Sequence, residues 1–241
     1  MARSLVDLLW RDHPEAPRGG SRGPESRVST GEVVAAALDL ADSGGLAEVT
    51  VRRLGAHLGI SAMSVYTHVG SRDDLLVLMA DAAHAQMDLP AFGRAGWRTR
   101  CRRVAEANRA QLLARAWLLD VDDDRTVLGP GTIAKYDHEL QAFEGLGLDD
   151  VARDAALTLL LDLARSSARV ARRRPTTGTN VGAEEWARWG PALGRYLGDA
   201  HPLAQRVGGA AGAAMGAASS PDHAWRFALE RVLDGLSSLG R

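Results

Sequence analysis

The sequence predicts an all-α protein: three N-terminal helices in a helix-turn-helix arrangement, joined by a long helix to a larger helical domain. Three observations carry that expectation. Apolar residues recur at helical spacing along most of the chain. Ser, Thr and Gly punctuate those runs as caps and stops. No segment shows the strict alternation of a half-buried strand.

Residues 1–28 hold Pro, Gly, Arg and Ser with little periodicity, and "PRGGSRGPES" reads as a flexible arm. Ser29 and Glu32 form a capping box, in which hydroxyl and carboxylate each satisfy a free backbone N–H. Val33, Val34, Ala37, Leu38 and Ala41 follow at helical spacing until "DSGG" stops the helix. Thr50 caps a short second helix that ends at Gly59. Ser61 caps a third, about 62–68, with Val65 and Val69 inward. Ser71 and Asp74 form a second capping box, which opens a long amphipathic helix through Met87. Further helices are expected at about 97–113, 132–143, 149–173 and 183–197. "PTTGTN" reads as a loop, and "GGAAGAAMGAASS" as a mobile low-complexity stretch. Ser220 and Pro221, cap and first position, open the last helix.

The chain has 241 residues, 46% of them hydrophobic, which is core enough for one large or two small domains. No run approaches 18 apolar residues, so no membrane span is expected, and the N-terminus lacks the apolar core of a secretory signal. Cys101 is the sole cysteine, which excludes an intrachain disulfide and a CxxC metal site and fits the cytoplasm. A formal net charge of −1 argues against a uniform electrostatic coat for nucleic acid, but the distribution is uneven. No acid lies between Val49 and Arg72, an interval that holds Arg52, Arg53, His57 and His68.

That interval coincides with helix, Gly-containing turn, helix, an arrangement whose second helix fits a DNA major groove about 12 Å wide. The outward side of this reading helix offers Ala62, Met63, Ser64, Tyr66 and Thr67. Small residues permit close approach, and the methyls of Ala62 and Met63 suit a thymine methyl. Ser64 and Thr67 suit base edges or phosphates. Tyr66 and His68 are long enough for phosphate oxygens, and Arg52 for a base or a phosphate. Arg72 is placed to clamp the DNA backbone beside a helix N-terminus. Two capped helices of an ordinary bundle would show the same outline. They would not want Tyr66 on the side away from Val65, nor an acid-free interval there.

Other constellations are weaker. Asp120, Asp122 and Asp124 imitate the start of a calcium loop, but Arg125 and Gly131 stand where Gly and Glu are needed. Asp81, His84 and Asp88 share one helical face and could hold a divalent ion, though such a stripe is more often solvated. Arg172, Arg173 and Arg174 read as cations at a helix C-terminus. Trp97, Trp117, Trp186 and Trp189 could line an aromatic ligand cavity, with Tyr136 and His138 as polar anchors. No GxSxG, Walker A or HExxH motif is present, so neither catalysis nor a cofactor or bound metal is expected. A winged-helix protein would follow the reading helix with a hairpin, whereas Ser71 opens a helix at once.

The stretch 32–76, "EVVAAALDLADSGGLAEVTVRRLGAHLGISAMSVYTHVGSRDDLL", resembles the tetracycline-repressor (TetR) family of bacterial transcriptional regulators. The order Leu-Gly-Ile-Ser, Ser-Val-Tyr-x-His-Val, Arg-Asp-Asp-Leu-Leu carries the resemblance. "WRFALERVLDGLSSL" is similar to the end of the actinobacterial subgroup with a tetracycline-repressor-type C-terminal domain. By motif position, the resemblance places DNA contacts at Thr50, Arg52, Ala62, Met63, Ser64, Tyr66, His68 and Arg72. It implies a helix-turn-helix DNA-binding domain at 29–75 and a ligand-binding and dimerisation domain at 76–241. A homodimer would pair the helices near 149–173 and 221–239, bind double-stranded palindromic operator DNA as a repressor, and be released by a small-molecule effector. Tetracycline repressors chelate a drug-bound magnesium with a His in this vicinity; Asp88 stands at the corresponding position. The alternative is a helical interaction or dimerisation module without a small-molecule sensor.

Overall fold

The computed structural model describes residues 4–17, 27–121, 128–172 and 183–239, and among these every regular element is helical. The α-helices are α1 (Leu5–Leu9), α2 (Thr30–Gly44), α3 (Val51–Leu58), α4 (Ala62–Val69), α5 (Arg72–Ala85) and α6 (Trp97–Ala114). They continue as α7 (Pro130–Leu140), α8 (Asp150–Arg172), α9 (Ala183–Leu197), α10 (Pro202–Met215) and α11 (Pro221–Ser237). Short 3-10 turns follow α6, α7 and α9. The all-α expectation stands.

The caps act as their residue types require. Ser29 accepts from the Glu32 N–H while Glu32 accepts from the Ser29 N–H at 2.7 Å. The Ser29 N–H and the Ser29 hydroxyl, both donating to it, hold the Glu32 carboxyl below its ordinary range. Thr50, Ser61 and Ser71 cap α3, α4 and α5 by accepting from the N–H three residues on.

Two hydrophobic cores result. The first is built from α2 to α5 around Val33, Leu38, Leu54, Val65, Val69 and Met79, and it runs along α5 to Ala83. It also takes in Trp117 and Leu118 from the turn after α6. The second packs α6, α8 and α11 around Val104, Phe143, Leu157, Leu160 and Leu233. Arg98 donates to Glu230 and Asp234, Arg102 to Glu230 and Arg109 to Asp222, so α6 grips α11 along its length. The Arg109 guanidinium also lies over the Trp225 ring.

Two contacts tie the first core to the second domain. The Asp81 carboxylate, only 7% exposed, accepts from the Gly131 and Thr132 N–H groups and so caps α7 from α5. The helices pass so closely here that a Cβ on Gly131 would lie 2.3 Å from the Asp81 carbonyl oxygen. On the other side, Asp42 at the end of α2 accepts from the Trp117 indole N–H at 2.7 Å and pairs with Arg115.

Three expectations need correction. Part of the stretch expected to be a flexible arm is helix: Leu8 and Leu9 of α1 are buried in the first core, where their apolar area outweighs the cost of ordering the segment. Most of the stretch expected to be mobile lies in α10. Ala favours a helix, Pro202 sits at its first turn, and Gly212 lets the Trp186 ring lie against the backbone. The stripe Asp81, His84, Asp88 is not a solvated face, since Asp81 is the buried cap of α7 and His84 Nδ1 lies 2.9 Å from Thr132 Oγ1. "PTTGTN", Asp122 to Arg125, and Arg173 with Arg174 lie outside the described residues. Arg172 pairs with Asp120 at 2.8 Å.

Candidate DNA-reading surface

The turn that presents α4 rests on two glycines. Gly59 takes φ 67°, the left-handed conformation that reverses the chain after α3. The Ile60 N–H closes the turn on the Gly55 carbonyl at 2.9 Å, and a Cβ on Gly55 would stand 2.7 Å from the Ile60 oxygen. The sharp angle between α3 and α4 therefore needs glycine at both positions, at 59 for its φ and at 55 for the space.

Val65 and Val69 are fully buried, which fixes the rotation of α4. The opposite side is then forced outward: Met63 is 74% exposed and Tyr66 41%, with Ala62 and Thr67 exposed beside them. Together Met63 and Tyr66 give the outward side of this short helix an apolar and an aromatic contact. Arg52 is exposed at the start of α3, and Thr50 just before it accepts from the Arg53 N–H. The Thr50 hydroxyl keeps its proton for an outside acceptor. Glu48, at the edge of the acid-free interval, pairs with Arg53.

Three side chains are engaged in ways the sequence did not show. Ser64 is half-buried, its hydroxyl 2.8 Å from that of Ser61 in the cap of α4. The Thr67 hydroxyl donates to the Ser64 carbonyl. Arg72 was expected to clamp DNA; instead its guanidinium donates to the Val49 and Leu46 carbonyls at 2.7 and 3.2 Å, bracing the loop before α3. His68 is half-buried, and its carbonyl accepts from the Thr30 hydroxyl.

The six residues expected to line a ligand cavity are not brought together. Trp117 is buried in the first core, as described, and Trp97 packs against the second. Tyr136 donates to Asp154 at 2.7 Å, a bond that raises its phenol above the ordinary range. His138 Nε2 contacts the Pro90 carbonyl, and its ring stacks on Phe92. Trp186 lines a separate cleft of about 400 Å³ between α9 and α10, while Trp189 is exposed. Helical spacing cannot tell a Trp that fills a core from one that lines a pocket.

The sequence reading missed a buried polar cluster in the second domain. Glu139 is fully buried and accepts from Asn108 at 2.6 Å and from Lys135 at 2.7 Å. Lys135 is the only lysine of the chain, and it too is buried. The signal available was that lone Lys four residues before Glu139. Burying an ion pair adds little or nothing to stability compared with an apolar core, so such groups are candidates for function. His84 lies close to this cluster. Burial pushes its imidazole down to about 3, and the charges of Lys135 and Arg165 push the same way.

A capped reading helix on a helical body is the build of a helix-turn-helix transcriptional regulator. Comparison with known proteins narrows the class. Residues 33–79 match the family "Bacterial regulatory proteins, tetR family", and residues 89–239 match "Tetracyclin repressor-like, C-terminal domain". The chain belongs to the TetR family of transcriptional regulators. It is 31% identical to the HTH-type transcriptional repressor DrrR1 of Streptomyces coeruleorubidus, over 99% of this chain and 86% of the relative. An HTH-type transcriptional regulator of Saccharopolyspora erythraea is 28% identical over 65% of this chain and 68% of its own. The fold is shared with the Streptomyces coelicolor TetR family protein ActR. Its structure in complex with actinorhodin has a TM-score of 0.69 and 22% identity, covering 89% of this chain and 99% of that one. Its apo structure has a TM-score of 0.71 and 23% identity, covering 90% and 98%. Among the described residues, no helix is long and apolar enough to cross a membrane.

His84 generates a pH prediction. Its ordinary value is 6.5 and its folded value about 3, so between them the unfolded chain binds a proton that the folded chain does not. Stability should therefore fall as pH drops from about 6.5 towards 3, by at most about 1.4 kcal/mol per pH unit from this group. Urea midpoints at about pH 5 and about pH 7.5 measure it, and His84→Gln should flatten the difference. An unchanged difference would mean that His84 does not titrate on unfolding.

Proposed function

We propose that the chain is a homodimeric repressor that reads a palindromic operator with α4 and is released by a small molecule held in its second domain. One observation carries the DNA reading: α4 buries Val65 and Val69 and turns Met63 and Tyr66 outward within an acid-free interval. Ala62 and Met63 are the groove-facing pair. Tyr66, His68, Thr50 and Arg52 serve the phosphates, and Thr67 contributes its methyl. Ser64 and Arg72 act at one remove, by holding the cap of α4 and the loop before α3. A bare interaction module would have no use for that division of roles.

Tyr66→Ala should weaken specific and scrambled duplexes alike, whereas Met63→Ala should weaken the specific duplex alone, by about 1–3 kcal/mol. A footprint on genomic fragments supplies the specific duplex, and anisotropy titrations at fixed salt read both. The protected half-sites should lie about 34–36 Å apart or a multiple of that. Unchanged affinities for Tyr66→Ala would remove this docking.

The dimer reading rests on α8 and α11. Leu229, Leu233 and Leu236 are used within the chain, so the surface left for a partner holds Leu159, Val170 and Phe227. Two-fold pairing of such faces makes one self-complementary interface. Light scattering should give a dimer for the unaltered protein and a monomer for Leu159→Glu with Phe227→Glu. Both positions are exposed, so folding is spared. A dimeric double variant would place the interface elsewhere.

For the effector, the relevant groups are Asn108, Lys135 and Glu139, which give a polar anchor within an apolar helical core. A ligand that binds the non-operator state better lowers DNA affinity, typically about 5–150-fold, and DNA weakens the ligand by the same factor. Compounds that change Trp fluorescence should be tested for that reciprocity. If none alters operator affinity, the second domain only dimerises.

A further inference from the structure

A cavity of about 590 Å³ lies where the two domains meet, and Asn108, Lys135 and Glu139 are not in its lining. Its walls come from four elements: Trp10 just after α1, Val34 of α2, Leu78 and Asp81 of α5, and Ala134 of α7. We propose that this cavity is a binding site for a planar aromatic molecule carrying an amine or hydroxyl donor.

The size is that of ordinary ligand sites, about 300–1,000 Å³, and the lining is mostly apolar with a few polar groups, as such sites are. Trp10 is a rigid aromatic wall. Its indole N–H donates to the Leu128 carbonyl at 2.7 Å, which ties the N-terminal segment across to the approach to α7. A flat ring can stack on its face. Charge selects the polar group. Arg11 and Asp12, both in the lining, pair with each other at 3.5 Å. His13, also in the lining, is exposed and accepts from the Glu15 N–H at Nδ1, and Asp81 is the buried charged group of the wall. Its carboxylate accepts two N–H bonds, one of them long at 3.3 Å, and a carboxylate has about four acceptor sites. A donor is therefore welcome beside it, and an anion is repelled.

A molecule in this cavity touches α2 of the reading domain and α7 of the second domain at once. It would bias operator affinity by its differential affinity for the arrangements of the two domains. That consequence rests on the operator reading above; the binding itself does not.

The test uses the full chain without DNA and two probes on one ring frame, 1-aminoanthracene and anthracene-1-carboxylate. The amine should bind at one per chain with rising fluorescence, and the carboxylate at least about tenfold more weakly. Ala134→Trp and Pro14→Trp, at two exposed positions on the cavity wall, should each weaken the amine by about tenfold or more. Both should keep the helical content of the unaltered protein, read by circular dichroism. Equal binding of both probes, no binding of the amine, or amine binding untouched by both plugs overturns the assignment. If the amine binds and the plugs abolish it, yet the unaltered protein binds no operator, the cavity stands and the DNA reading falls.

Discussion

The buried carboxylate of Asp81 is the constraint on which the rest of the arrangement depends. It lies on α5, whose apolar residues belong to the core of the reading domain, and it caps α7, which belongs to the other domain. Two N–H groups at the start of α7 would otherwise be buried without partners, at a cost of about 1–3 kcal/mol each. The negative charge also suits the positive end of the helix. Because Gly131 has no Cβ, the helices can approach closely enough for that bond. One helix is thus held in the first core and bonded to the start of α7, and neither domain can swing far without breaking the cap.

The reading surface follows from the same rigidity. Arg72 at the start of α5 braces the loop that leads into α3, and α3 presents α4 through a turn that needs Gly55 and Gly59. A shift of α5 is therefore delivered to α4 as a body movement. Asp42 with Trp117 forms a second tie, from the end of α2 to the turn after α6.

The helices and the reader were legible in the sequence because they rest on local signals. Ser29 with Glu32, Thr50, Ser61 and Ser71 cap where their spacing says, and Val65 with Val69 sets the face of α4. What could not be read depends on partners far along the chain. Asp81 and His84 look like a solvated stripe until α7 is laid against them. Arg72 looks like a free cation until the loop carbonyls of Leu46 and Val49 are placed. The expected Trp pocket failed for the same reason: Trp117 and Trp186 serve different parts of the molecule. Glu139 carried a local clue in Lys135, but burial separates that pair from a surface one, and periodicity does not report it.

The claim that Asp81 fixes the reader to the second domain can be tested on one chain. Cysteines at the exposed positions Ala56 on α3 and Asp137 on α7 accept spin labels. Native Cys101 does not compete, because burial pushes its thiol up to about 12 and the thiolate is the reactive form. Labelled protein diluted into unlabelled protein reports the intrachain distance by pulsed electron resonance. One narrow distance in the otherwise unaltered chain, broadened by Asp81→Ala while the helical content is kept, is the predicted result. The same narrow distance in both proteins would contradict it, and would move the joint between the domains to the Asp42 side.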